Sequence, residues 1–185
     1  MSKVYDCLED KHVAFIGEQK IFFVATAPTS SDGHVNVSPK GYDSLRIVND
    51  RCVEWVDLGG SGIETQAHLQ ENGRITLMFC GFDGAANILR IYGRGSAIDF
   101  DHPEFATAMA AFPTFDRARA VIRIEILRVA DSCGWGVPYY EFKGERDQLR
   151  RWAGNKPLDE WRERRYAANA ESIDGLPGLS GAPHK

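Results

Sequence analysis

The chain has 185 residues, enough for one ordinary domain that buries its core without disulfide or metal staples. Its 22 Lys+Arg against 26 Asp+Glu leave a net charge of −4, which argues against the clustered basic surface that a nucleic-acid backbone demands. No apolar run approaches the length of about 18 residues read as a membrane span, and the first residues carry no leader-like stretch. A cytoplasmic protein with no membrane or nucleic-acid partner is expected.

Residues 21–26 (IFFVAT) form a continuous apolar run of the kind a buried strand makes, and residues 27–33 (APTSSDG) carry turn formers ending in Asp-Gly. A hairpin is predicted. On its far side residues 34–38 (HVNVS) alternate, so that Val35 and Val37 are expected in the core while Asn36 and Ser38 share the other face, open to a ligand. Further strands are predicted at 44–48 and 52–58, joined by a tight turn. After the glycine loop 59–62 (GGSG), residues 63–73 read as a short helix closed by Gly73. Strands follow at 74–80 and 87–98, the second with glycines suited to a bend around a barrel corner.

The segment from Asp101 reads as a helix with Phe105, Met109 and Phe112 on one face, stopped by Pro113. Residues 120–129 alternate as a long strand with Arg123 and Glu125 outward, and 131–138 (DSCGWGVP) read as a loop. Two charged helical stretches, 146–152 and 159–171, are anchored only by Trp152, Trp161 and Tyr166, and residues 176–185 have the composition of a fraying end.

Few residues declare chemistry by themselves. The four cysteines, Cys7, Cys52, Cys80 and Cys133, form no CxxC pair and have no histidine at ligand spacing, so no metal site is expected. None of the five histidines has a serine or carboxylate partner visible in the sequence, so a nucleophilic triad has no support. A tight strand-to-helix turn is the plain reading of the glycine loop, with phosphate binding as the alternative. Phe22, Phe23, Trp55, Phe79 and Tyr92 are more large apolar groups than one small barrel readily holds, so some are expected to face a partner.

This order of elements, with residues 33–41 (GHVNVSPKG) and 64–79 (ETQAHLQENGRITLMF), is similar to the flavin-binding split barrel of the pyridoxamine 5′-phosphate oxidase-related proteins from Phe22 to about Val129. The resemblance implies a mainly β fold, a six-stranded antiparallel Greek-key split barrel over residues 1–145. Residues 146–185 would form a helical extension packed on the same domain. It also implies a homodimer with FMN in a groove between subunits. By position, Asn36, Ser38 and Lys40 would lie under the ring and phosphate, and the amides around Gly60, Ser61 and Gly62, with Thr65, would meet the phosphate. Better-known oxidases carry adjacent Arg and Lys at the helix start, where this chain has Glu64 and Thr65, so Lys40, Arg90 or a partner-chain arginine would have to compensate. Trp135, among small residues beside Cys133, would approach a flat ring; the 131–139 and 172–179 segments resemble features of one bacterial branch. The signature of genuine pyridoxamine phosphate oxidases is missing, so vitamin B6 oxidation is not expected. An FMN-dependent oxidoreductase with a small-molecule substrate is expected, with no catalytic acid or base assigned. The alternatives are a non-catalytic flavin-binding module, or a split barrel that uses F420 or haem or lacks a cofactor.

Overall fold

Alternating burial along short strands builds one antiparallel sheet. The computed structural model describes residues 3–115 and 117–179. In chain order the elements are β1 (Lys3–Tyr5), α1 (Asp10–Glu18), β2 (Phe22–Thr26), β3 (Asn36–Lys40), β4 (Leu45–Asn49), β5 (Cys52–Asp57) and α2 (Glu64–Asn72). They continue as β6 (Arg74–Cys80), β7 (Asn87–Asp99), α3 (Phe105–Met109), β8 (Ala120–Cys133), α4 (Gln148–Gly154) and α5 (Leu158–Ala168). The sheet runs β3-β2-β6-β7-β8-β5-β4, and β1 pairs with the far end of β8. The mainly β class therefore holds, with eight strands in place of the six expected.

Two long strands, β7 and β8, form the spine, and the register shift between Tyr92 and Gly93 gives the expected bend. A Cβ at Gly93 would run into the Glu125 carbonyl, so glycine is what lets the two strands close there. The core lies inside the curl, where Val24, Leu77, Leu89, Ile91, Ile122 and Ile124 are fully buried. Gly73 closes α2 in the left-handed conformation, as expected of a helix-ending glycine.

Several expectations need correction. Val35 and Val37 are 70% and 61% exposed, while Asn36, Ser38 and Lys40 turn inward, so the face of β3 expected in the core points out. Phe22, Trp55 and Phe79 are all buried together; of the aromatic set only Tyr92 is markedly exposed. The helix after Asp101 shortens to α3, although Phe112 is still buried. Residues 131–133, expected in a loop, extend β8 because β7 pairs with them. Residues 176–179 do not fray: the amides of Gly178 and Leu179 donate to the carbonyls of Ala170 and Asn169 at 2.8 and 2.9 Å. Residues 180–185, given the same expectation, lie outside the described residues.

The C-terminal helices pack on the barrel through one apolar cluster. Trp161, Tyr166 and Leu179 meet Ile63 and Phe100, with Trp161 and Tyr166 set edge-on to the Phe100 ring. This seat brings α5 directly behind the glycine loop.

Candidate functional site

The inward face of β3 and the loop between β5 and α2 enclose a cavity of about 630 Å3. Alternation explains the β3 side, because residues two apart on a strand share a face and Asn36, Ser38 and Lys40 fall on the inner one. Gly60, Ser61, Gly62 and Thr65 form the opposite wall. Seven of the nine expected ligand residues thus line one cavity. Arg90 and Trp135 do not: Arg90, on β7, donates to Ser132 Oγ at 3.3 Å, and Trp135 is 87% exposed beyond β8.

The cavity floor is an ion pair that sequence reading missed. Asp57 ends β5, and the register pairing it with Ala120 places Arg119 alongside. The Arg119 guanidinium grips Asp57 Oδ2 through Nε and Nη2 at 3.1 and 2.7 Å, and Gln66 Nε2 donates to the same oxygen at 3.2 Å. Both partners are buried. Burial pushes the Asp57 carboxyl up, but Arg119 first and Lys40 next outweigh it and hold the group below the usual carboxylate range. The available sequence signal was only a charge at the edge of each strand-like run, Asp57 after VEWV and Arg119 before AVI.

Lys40 carries its charge differently. Burial lowers its amine, Asp57 counters that, and Arg119 adds to it. Its Nζ lies 5.0 Å from the Trp55 ring centre, and it forms no ion pair among the described residues. Ser38 Oγ is buried without a hydrogen-bond partner among the described residues. Asn36 Nδ2 donates to Thr26 Oγ1 at 3.1 Å and to Thr65 Oγ1 at 3.0 Å, and Thr26 in turn meets the buried His68 Nδ1 at 3.0 Å. Burial lowers the His68 imidazole, which favours its neutral form.

The rim belongs to the chain's end. Asp174 accepts from the His34 amide at 2.8 Å and faces the His34 ring at 2.7 Å, and the Ile173 amide donates to Glu64 Oε1 at 3.3 Å. His34 thus has a carboxylate partner that its sequence neighbourhood could not reveal. Behind the loop, Arg165 Nη1 donates to the carbonyls of Gly59 and Gly60 at 3.0 and 2.8 Å and Asn169 Nδ2 to that of Ser61 at 3.1 Å, while from the cavity floor Arg119 Nη1 donates to that of Gly62 at 2.7 Å. A second cavity of about 670 Å3, walled by Tyr42, Phe82, Tyr140 and Phe142, meets the first at Lys40. Among the described residues no three His, Cys, Asp or Glu side chains gather in a metal-holding group. No helix among them is long and apolar enough to cross a membrane.

Comparison with known proteins bears on this architecture. Residues 8–133 match the sequence profile of the family described as Pyridoxamine 5′-phosphate oxidase. The chain is 36% identical to the Pyridoxamine 5′-phosphate oxidase family protein ustO of Aspergillus flavus, over 96% of this chain and 78% of the relative. Among solved structures, HupZ of Group A Streptococcus has the same fold, with a TM-score of 0.52 and 21% identity over 66% of this chain and 91% of HupZ. A single-substitution variant of HupZ gives a TM-score of 0.53 at 20% identity, over 67% of this chain and 98% of that one. The profile match spanning β2 to β8, together with the relative aligned over nearly the whole chain, shows that this chain belongs to the pyridoxamine 5′-phosphate oxidase family.

Proposed function

We propose that the chain binds FMN in the cavity between β3 and the glycine loop and works as an FMN-dependent oxidoreductase on a small molecule. The observation that carries this reading is the pairing of Lys40, which forms no ion pair among the described residues, with the buried Ser38 hydroxyl, which has no hydrogen-bond partner among them, beside a glycine-rich loop. Buried polar atoms are rarely left unsatisfied, so such a pair favours a ligand with acceptor oxygens. A cavity of about 630 Å3 falls in the usual range for cofactor sites. When bound, FMN supplies hydride exchange at its N5.

Within this reading the chain's residues position and shield the cofactor. Asn36 is fixed by two threonine hydroxyls, Lys40 supplies charge-assisted hydrogen bonding, and the 172–178 turn covers one rim. The aromatic second cavity, meeting the first at Lys40, is where a small-molecule substrate would approach. The exposed Val35 and Val37 line the cavity, Val35 also lines a separate groove with the exposed Tyr92 and Leu127, and covering these side chains in a homodimer would close the cavity from outside. The extension, described over residues 146–179, acts with the barrel as one unit.

A site built around one phosphate-sized loop, with no GxGxxG after a strand, favours FMN over FAD. Titration of flavin-free protein with each, followed by flavin fluorescence, should show tighter FMN binding. Tighter FAD binding would overturn the assignment.

A further inference from the structure

The carbonyls of residues 59–61 are held from the α5 side, by Arg165 and Asn169. No described peptide bond is cis, and in a trans peptide the C=O and the following N–H point in opposite directions. Fixing these oxygens therefore turns the N–H groups of Gly60, Ser61 and Gly62 the other way, away from α5 and toward the cavity that these three residues wall. None of the three donates to a protein acceptor among the described residues. Consecutive free amides that converge on a concave surface are a place for an anion.

The charges behind the loop strengthen this. Asp57 neutralises Arg119, which also holds Asn169 Oδ1 at 2.9 Å. Arg165 is buried, rests its guanidinium 5.0 Å from the Trp152 ring centre, and has no carboxylate within ion-pair distance among the described residues. Its charge is unspent and sits at the oxygen end of the peptide dipoles whose N–H ends face the cavity, in surroundings too buried for water to screen it well. Lys40, on the β3 wall of the cavity, likewise forms no ion pair among the described residues.

We infer that Arg165, supported by Asn169, is a positioning residue that makes the amides of 60–62 an anion cradle for the cofactor phosphate. The C-terminal helix thereby supplies the positive charge that the start of α2 lacks at Glu64 and Thr65. Assigning the anion to a flavin rests on the FMN reading; the cradle itself does not.

The test uses the full chain and two ligands. In 15N-labelled protein titrated with inorganic phosphate, the amides of Gly60, Ser61 and Gly62 should shift, and Arg165→Met should abolish those shifts. The same variant should weaken FMN by about tenfold or more, as expected for loss of charge-assisted contacts, while riboflavin affinity stays within about twofold. Arg165→Lys, which keeps the charge and one donor, should recover most of the FMN affinity. Unmoved amides in the wild-type protein, or a folded Arg165→Met variant with unchanged FMN affinity or equal losses for both flavins, would overturn the inference. Amides that respond to phosphate in a protein that binds no FMN would sink the cofactor reading and leave the cradle standing. If Arg165→Met fails to fold by its melting curve, the wild-type amide shifts and the Arg165→Lys protein decide.

Discussion

Asp57 and Lys40 face each other across one electrostatic site, and the consequences of removing them differ. Asp57→Asn leaves the Arg119 guanidinium buried without a counter-ion, which costs about 3–5 kcal/mol in comparable cases. Because the folded carboxyl titrates below its unfolded value, its contribution is full above about pH 4 and is lost as pH falls toward the folded value. Urea denaturation at neutral pH and at about pH 3 should therefore show a large gap between wild type and Asp57→Asn that narrows in acid. A gap independent of pH would place the stabilisation elsewhere. Lys40 has no such structural partner, so Lys40→Ala should leave stability nearly unchanged and act on ligand binding. FMN should lose about 1.5–3 kcal/mol of affinity and riboflavin much less, measured by fluorescence titration. Equal losses would mean that Lys40 contacts the ring, not the phosphate.

At this scale legibility depended on sequence distance. Asn36, Ser38 and Lys40 share a face by simple alternation, and that grouping was visible, although which face turned inward was not. Two valines ordinarily claim the core, and here the cavity claims their neighbours. Arg119 and Asp57 are 62 residues apart, and His34 and Asp174 are 140 apart, so only the fold brings them together.

Among the elements, those that punctuate themselves were readable. Asp-Gly marked the β2–β3 hairpin, Gly73 marked the end of α2, and the glycines of β7 marked its bend. α1 escaped because it buries little beyond His12 and Ile16, and its capping box uses His12 in the place where Glu or Gln usually signals one. β1 is three residues long, and only its pairing with β8 makes it a strand. The extension was recognisable as helical, but nothing in its charged pattern distinguished Arg165 from the arginines at 162 and 164. Its attachment rests on Trp161, fully buried against Phe100 and Ile63, and on the Tyr166 hydroxyl bonded to Asp101. The same docking places Arg165 and Asn169 behind the loop, so the packing of this helix and the shape of the cavity are linked through one short segment.

For the whole molecule, the exposed valines at the cavity rim, Lys40 inside it and Arg165 behind the loop, neither cation in an ion pair among the described residues, give one account: a two-fold assembly that encloses a flavin with its phosphate against the 60–62 loop. Apolar area covered at such an interface contributes about 25 cal/mol per Å2, less the cost of association, so a dimer of ordinary interface size should persist on dilution. The most direct measurement is gel filtration of FMN-loaded protein with light scattering and flavin absorbance recorded on the same peak, repeated over a dilution series. The account predicts a dimer that elutes with one FMN per chain and loses flavin only where it dissociates; a protein peak free of flavin absorbance, or a monomer that retains its flavin, would contradict it.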